Sequence, residues 1–161
     1  MKRIYISRHA KSSWEDHRLR DIDRPLNDRG RKDAPKMARL CLERGYVPSQ
    51  IIASNSKRTT ETARYFQKTF NLSHIDLDSS LYLADSEQYI ETCFGLDENQ
   101  DSVMMFGHNP GITDLANYFF TETRNVPTCG ILVFDCDVKD WSMVSKSKMK
   151  LIDFLYPKMN L

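Results

Sequence analysis

Cysteine is scarce in this chain and is not arranged for a metal or redox site. Four cysteines occur among 161 residues, and none forms a C-x-x-C pair, which excludes the common paired-cysteine motifs. Cys41 and Cys93 fall on apolar faces of predicted helices, where a free cysteine acts as a small hydrophobic residue. We therefore predict that these two, Cys129 and Cys136 are all reduced thiols.

Metal-ligand spacing and nucleotide-binding glycine motifs are also missing. The four histidines are His9, His17, His74 and His108, and no two lie at metal-ligand spacing on one helix. No G-x-G-x-x-G follows the first predicted strand, which argues against a dinucleotide-binding domain. We predict no metal ion and no cofactor.

The chain has neither an excess of charge nor a long apolar run. Lys and Arg total 23 and Asp and Glu total 22, so a general nucleic-acid binder is excluded. The longest apolar stretches span only a few residues, too short for a membrane helix. The N-terminus lacks the pattern of a signal peptide, so we expect a soluble cytoplasmic protein. No repeat, low-complexity tract or linker interrupts residues 1–161, which predicts one domain.

Strands and helices alternate along the chain. A β-rich run at 3–7 ends at Arg8-His9, and a polar segment of both charge signs at 10–26 predicts a long loop. Apolar runs and helical periodicity predict strands at 50–53, 74–77, 102–106, 130–134 and 141–144, and helices over 27–44, 57–70, 86–96 and from 111. This alternation indicates an α/β fold: a three-layer αβα sandwich with a mostly parallel central sheet. The strands at 130–134 and 141–144 are expected to pair antiparallel.

Local signals refine two of the helices. Asn27 can cap the first helix and Gly45 can stop it, while Pro35 predicts a kink or a later start. Ser86 is the predicted N-cap of the third helix. The predicted buried face of the first helix consists of Ala34, Met37, Ala38, Cys41 and Leu42.

Three polar groups follow the strands. They are Arg8-His9, the segment 54–58 (SNSKR) and the segment 107–111 (GHNPG). Each alone has a simpler interpretation: a structural histidine, a solvated Arg58, or a turn at Asn-Pro-Gly. Parallel sheets, however, bind ligands at the carboxyl ends of their strands, so the fold brings two histidines and two arginines to one edge. That convergence favours a functional site.

The residue types at this edge suit phosphoryl transfer. Arginine matches phosphate oxygens bidentately and stays charged, and a helix N-terminus after Gly107-His108 adds N–H donors. A histidine can attack phosphorus and form a covalent intermediate. Fixed cations stabilise the charge that builds on the oxygens in the transition state.

These motifs, in this order, resemble the histidine phosphatase (phosphoglycerate mutase-like) superfamily. Arg8-His9-Ala10, Ser54-x-x-x-Arg58 and Gly107-His108 carry the likeness, and the segment 8–35 resembles the SixA-type phosphohistidine phosphatases. The resemblance extends to about Pro157. It implies that the fold is that of the superfamily and that the protein hydrolyses a phosphorylated substrate.

The resemblance also implies a role for each matching position. His9 is expected to be the phosphorylated nucleophile, Arg8 and Arg58 to bind phosphoryl oxygens, and His108 to donate to the phosphate. Ser12 and Asn109 are further candidates for phosphate contact. Residues 10–26 and Pro127-Thr128 are expected to border the pocket.

One departure bears on the substrate. Larger relatives place a glutamate acid where this chain has Leu81-Tyr82-Leu83, and the nearest carboxylates, Asp85 and Glu87, are out of register. A phosphate ester needs a proton donor worth about 10²–10⁴-fold in rate, whereas the imidazole of phosphohistidine is a better leaving group. The sequence thus favours a phosphohistidine phosphatase acting on a phosphorylated protein. A phosphomonoesterase using Asp85 or Glu87, and a phosphate-binding module without turnover, stay open.

Overall fold

Six strands form one sheet in the computed structural model, which describes residues 1–159. They are β1 (Lys2–Arg8), β2 (Ile51–Ala53), β3 (Asp76–Leu77), β4 (Ser102–Gly107), β5 (Ile131–Cys136) and β6 (Met149–Leu155). Their order across the sheet is β3-β2-β4-β1-β5-β6. The first four strands are parallel, and β5 pairs antiparallel with both β1 and β6.

Helices cover both faces of the sheet. The four α-helices are α1 (Asp28–Glu43), α2 (Lys57–Phe70), α3 (Ser86–Cys93) and α4 (Gly111–Asn117). Helices α1 and α2 pack on one face, and α3 and α4 pack on the other. Strand β1 alternates between them, because Ile4 and Ile6 point to the α3 side and Tyr5 to the α1 side. The predicted αβα sandwich with a mostly parallel sheet is confirmed.

Helix α1 begins directly after its N-cap residue, Asn27, and continues through Pro35. Asn27 Oδ1 accepts a hydrogen bond from the Gly30 backbone N at 2.9 Å, and the helix is assigned continuously across Pro35. The later start considered at Pro35 was therefore wrong. Leu42, predicted to be buried, is 48 % exposed, whereas Leu40 is buried. Ala34, Met37, Ala38 and Cys41 are buried as predicted, so the predicted face of α1 is correct except that Leu40 takes the place of Leu42.

The C-terminal prediction needs the largest correction. Residues 141–144 do not form a strand: Trp141–Met143 is a 3-10 turn, and the Trp141 indole N–H donates to the Gln100 carbonyl at 2.8 Å. The antiparallel partner of β5 is instead β6, whose sequence MKLIDFL mixes Lys and Asp with apolar residues. A register shift between Val133 and Phe134 further obscures its alternation.

Two smaller predictions also change. Helix α3 is capped by Asp85, whose carboxylate accepts from the Gln88 backbone N at 3.0 Å, and not by Ser86, and it ends at Cys93 and not at Leu96. The predicted strand at 74–77 shortens to the two exposed residues of β3. Among residues 1–159, no helix is long and apolar enough to cross a membrane.

Gly111 lets α4 begin close to the chain that precedes α3. A Cβ at this position would lie 2.0 Å from the Ala84 carbonyl oxygen, and a backbone atom cannot move aside as a flexible side chain can. We expect Gly111→Ala to lower the free energy of unfolding by about 1–3 kcal/mol, as overpacking does. At Gly95 a Cβ meets nothing within 4 Å, so Gly95→Ala should change it by less than about 0.5 kcal/mol. Urea unfolding of both variants tests this; equal losses would contradict it.

Candidate active site

The parallel pairing of β1 with β4 places two histidines side by side. Arg8 lies opposite Gly107 in the register, so His9 and His108 leave the sheet together at the same edge. Their ring centroids are 5.3 Å apart. On the other side of β4, β2 leads through Ser54 into α2, which carries Arg58 in its first turn. The structure thus brings the predicted residues to one pocket.

Hydrogen bonds fix both the backbone and the ring of His9. Its backbone N donates to the Gly107 carbonyl at 3.1 Å, and its carbonyl accepts from the Cys129 N at 2.9 Å. The ring Nδ1 lies 2.7 Å from the Ala10 carbonyl, which can only accept, so Nδ1 carries the hydrogen. The ring therefore presents the lone pair of Nε2 to the pocket, 3.4 Å from Arg58 Nε.

The His9 ring is neutral at neutral pH. Burial, together with the nearby His108, Arg58 and Arg8, lowers its pKa from 6.5 to about 3, against the opposing effect of the Ala10 carbonyl. An unprotonated Nε2 has a lone pair available for attack on an electrophile. The environment thus holds His9 in the form that a nucleophile requires.

His108 is held on both sides of its ring. Nε2 lies 2.7 Å from the Ser54 hydroxyl oxygen, and Nδ1 lies 3.4 Å from Arg58 Nη2. Burial and the Arg58 charge lower its pKa to about 3, so this ring is neutral as well. Because the Arg58 guanidinium can only donate, Nδ1 accepts from it and Nε2–H donates to the Ser54 hydroxyl. If an anion took the place of Arg58 at Nδ1, the other tautomer would present Nδ1–H to it. The serine can serve either tautomer, because a hydroxyl both donates and accepts.

Arg58 is a buried cation at a helix N-terminus, where the helix dipole opposes positive charge. The positive charge of Arg58 is compensated by Asp21, which lies in the loop between β1 and α1. Arg58 Nη1 donates to the Asp21 carbonyl at 2.7 Å, and Nη2 donates to the Asp21 carboxylate at 3.0 Å. Its Nε donates to His9, so all three nitrogens of the guanidinium are engaged by His9 or Asp21.

Arg8 and Arg24 add further positive charge with unused donors. Arg8 Nη1 donates to the Val126 carbonyl at 3.0 Å, and burial together with the Arg58 charge lowers the pKa of Arg8. The Nε atoms of both Arg8 and Arg24 are buried and have no partner within the described part of the chain. Buried N–H groups without a partner cost free energy.

Sequence reasoning missed Asp21, Arg24 and Tyr82. The Tyr82 hydroxyl hydrogen-bonds to the Asp21 carboxylate, and its ring meets the His108 ring edge-on at a centroid distance of 5.3 Å. Tyr82 belongs to the stretch Leu81-Tyr82-Leu83, which matches the position of the glutamate acid in larger relatives. Asp21 is one of three aspartates in residues 10–26, and nothing in the sequence distinguishes it from Asp16 or Asp23.

Two predicted phosphate contacts are engaged elsewhere. Ser12 Oγ accepts a hydrogen bond from Arg24 Nη2. The Asn109 amide group donates to the Val126 carbonyl at 3.0 Å and accepts from the Thr113 backbone N at 3.1 Å, which ties α4 to the segment after it. Ser12 thus positions an arginine, and Asn109 joins two segments that border the site.

The candidate acids are also occupied. Asp85 caps α3, and the Glu87 carboxylate pairs with Lys146 at 2.5 Å. Neither makes a hydrogen bond to His9, His108, Arg8 or Arg58 in the described structure. Within residues 1–159, no three side chains of His, Cys, Asp or Glu are grouped as metal ligands.

Known proteins resemble this chain in sequence and in fold. Residues 4–83 match the model of the histidine phosphatase superfamily (branch 1). A crystal structure from Agrobacterium tumefaciens, described provisionally as the phosphohistidine phosphatase SixA, is 32 % identical; the match covers 97 % of this chain and 98 % of that one, with a TM-score of 0.82. An uncharacterised chloroplastic protein of Arabidopsis thaliana is 29 % identical over 87 % of this chain and 69 % of its own length.

The fold is shared more widely than the sequence. A structure of the protein histidine phosphatase SixA complexed with tungstate has a TM-score of 0.80 at 19 % identity, covering 96 % of this chain and 97 % of that one. The chain belongs to the histidine phosphatase superfamily. Within that superfamily it is of the SixA type, and its activity is that of a phosphatase.

Proposed function

We propose that this protein is a phosphohistidine phosphatase that works through a phospho-His9 intermediate. The observation that carries the proposal is the neutral His9 ring, whose Nε2 faces Arg58 while its Nδ1 is bound to a carbonyl. That geometry keeps the lone pair on Nε2, where it accepts a long hydrogen bond from Arg58 Nε and lies next to the cation that would bind the phosphoryl group. The SixA name of the relative from Agrobacterium tumefaciens supports the same substrate class.

The proposed reaction has two steps. Nε2 of His9 attacks phosphorus in line, the bond from phosphorus to the leaving imidazole breaks, and its electron pair stays on that imidazole. Arg8, Arg58 and His108 stabilise the charge on the transferring oxygens. Water then attacks phospho-His9, releasing phosphate and restoring the free ring. We propose that no metal takes part, because the side chains supply the positive charge.

A phosphorylated protein is the proposed partner. Trp14, 67 % exposed, stacks on Arg24 with 3.4 Å between the guanidinium carbon and the ring centroid. Leu83, 53 % exposed, directly follows Tyr82, whose hydroxyl hydrogen-bonds to Asp21. Exposed apolar side chains around a polar pocket provide contact area for a protein surface. A phosphomonoesterase is the second candidate, since the same pocket binds the phosphoryl group of an ester.

A paired assay tests the proposal. Purified protein in excess chelator is given a phosphohistidine-bearing protein and, separately, a protein phosphorylated on serine, which is an alkyl phosphate ester. We expect kcat/KM to be at least about tenfold higher on the phosphohistidine protein. Rapid quenching should also trap an acid-labile phosphoryl label on the enzyme. A clear preference for the ester would refute the substrate assignment, and absence of a label during turnover would refute the intermediate.

A further inference from the structure

Asp21 is the one carboxylate in the described residues that hydrogen-bonds to the proposed phosphoryl pocket. Its Oδ2 lies 3.0 Å from Arg58 Nη2, and the side chain of Arg58 is only 4 % exposed. The same oxygen accepts from the Tyr82 hydroxyl, while Oδ1 lies 3.4 Å from Arg24 Nη1. The proposed reaction assigns no role to this carboxylate.

The surrounding donors keep Asp21 negatively charged. Burial alone would raise its pKa, but the hydrogen bonds from Tyr82 and Arg58 and the charges of Arg58 and Arg24 outweigh burial and lower it. An ionised carboxylate accepts hydrogen bonds and cannot donate one. Asp21 therefore cannot act as the resting proton donor that a phosphate ester requires.

The Asp21 carboxylate repels ligands that bring only negative charge and can bind ligands that bring a hydrogen-bond donor. A phosphoryl oxygen on Arg58 Nη2 would lie next to the Asp21 carboxylate, because both would use the same nitrogen. Free phosphate and ester dianions bring only negative charge and meet repulsion there. A phosphorylated imidazole that is protonated on its second ring nitrogen brings an N–H on the side away from phosphorus, and a carboxylate can accept a hydrogen bond from it.

We propose that Asp21 is a specificity-determining residue whose carboxylate accepts a hydrogen bond from the ring N–H of a phosphorylated imidazole and disfavours phosphate esters and free phosphate. This inference rests on the proposed function and names the group that selects the substrate within it. Tyr82 and Arg24 position the carboxylate through their own hydrogen bonds.

The chemistry balances without a proton transfer to Asp21. The substrate is the protonated form of a phosphorylated imidazole, which carries phosphorus on one nitrogen, a hydrogen on the other and one positive charge on the ring. As His9 Nε2 forms its bond to phosphorus, the bond from phosphorus to the substrate nitrogen breaks, and the electron pair remains on that nitrogen. A carboxylate beside the distal N–H stabilises the positive charge that the imidazole carries until departure. An alkoxide leaving group has no N–H at that position.

The test compares Asp21→Asn with Asp23→Asn. Asp23 lies on the same 3-10 turn but pairs with the exposed Arg20 at 2.8 Å, so it controls for the loop. The readouts are kcat/KM for phosphoimidazole and for p-nitrophenyl phosphate, and the Kd of inorganic phosphate by calorimetry. In Asp21→Asn we expect the imidazole-to-ester ratio to fall at least about tenfold and phosphate to bind several-fold more tightly. Asp23→Asn should leave both readouts unchanged.

The outcomes separate this inference from the proposed function. If the wild-type protein prefers phosphoimidazole but Asp21→Asn keeps the same ratio and the same Kd for phosphate, the role of Asp21 is overturned and the function stands. If the wild-type protein prefers the ester, the function fails, and the imidazole contact fails with it. Asp21→Glu keeps the charge and should keep phosphate binding weak; binding as tight as in the amide variant would also overturn the proposal.

Discussion

Replacing His9 with Asn is expected to reduce kcat by roughly 10⁴-fold or more, because loss of a nucleophile in a covalent mechanism leaves only binding and charge stabilisation. The loss should be similar on phosphoimidazole and on p-nitrophenyl phosphate, since both share the attacking group. Stopped assays on the two substrates measure it. The acid-labile label should disappear at the same time.

The matched control is His17→Asn. His17 is an exposed residue of the loop between β1 and α1, so its replacement should leave kcat within about twofold. Turnover in His9→Asn close to the wild-type rate would show that His9 is not the nucleophile. A slow residual rate that lacks any trapped label would instead agree with direct attack of water in the remaining pocket.

Replacing Arg58 with Lys is expected to lower kcat/KM by about 10²–10³-fold, although the formal charge is kept. The guanidinium directs Nε to His9 at 3.4 Å and Nη1 and Nη2 to Asp21 at 2.7 and 3.0 Å. A lysine ammonium is a single charged point and cannot reach these groups together. Steady-state kinetics and the Ki of inorganic phosphate measure the effect, and phosphate should inhibit much more weakly.

Arg64→Lys provides the comparison for Arg58. Arg64 lies on the same helix but is exposed, so its replacement should leave kcat/KM within about twofold. Equal activity of the two variants would mean that Arg58 contributes only its charge. A loss of activity with an unchanged Ki for phosphate would place its contribution in the transition state alone.

The sequence was most informative where apolar periodicity and buried strands coincide. Strands β1, β2 and β4 and helices α1 and α2 were predicted close to their observed ranges, because each is buried against the sheet and shows its period clearly. The last strand was misplaced, because Trp141 gave a stronger apolar signal than the mixed run of β6. Trp141 is buried by packing and by indole hydrogen bonds, which a strand pattern does not reveal.

The pocket was predictable to the extent that it lies at strand ends. His9, His108 and Arg58 follow from the rule that parallel strands converge at one edge. Asp21 and Tyr82 come instead from segments whose path is set by tertiary contacts, so no local pattern assigns them to the pocket. Asp85 and Glu87, the two acids that the sequence left open, are engaged elsewhere, and the carboxylate that contacts Arg58 comes from the long loop.

Strand β1, which leads to the proposed nucleophile His9, lies in the interior of the sheet although it comes early in the chain. Its partners are far away in sequence: Ile4 pairs with Val103 on one side and with Phe134 on the other. Such contacts have high contact order and form slowly, because a long loop must close before they contribute any stability. During synthesis, His9 thus lacks its neighbours from β4 until more than the first hundred residues have emerged. Activity appears only when the sheet is complete, so regain of activity on refolding reports on the joining of β1, β4 and β5.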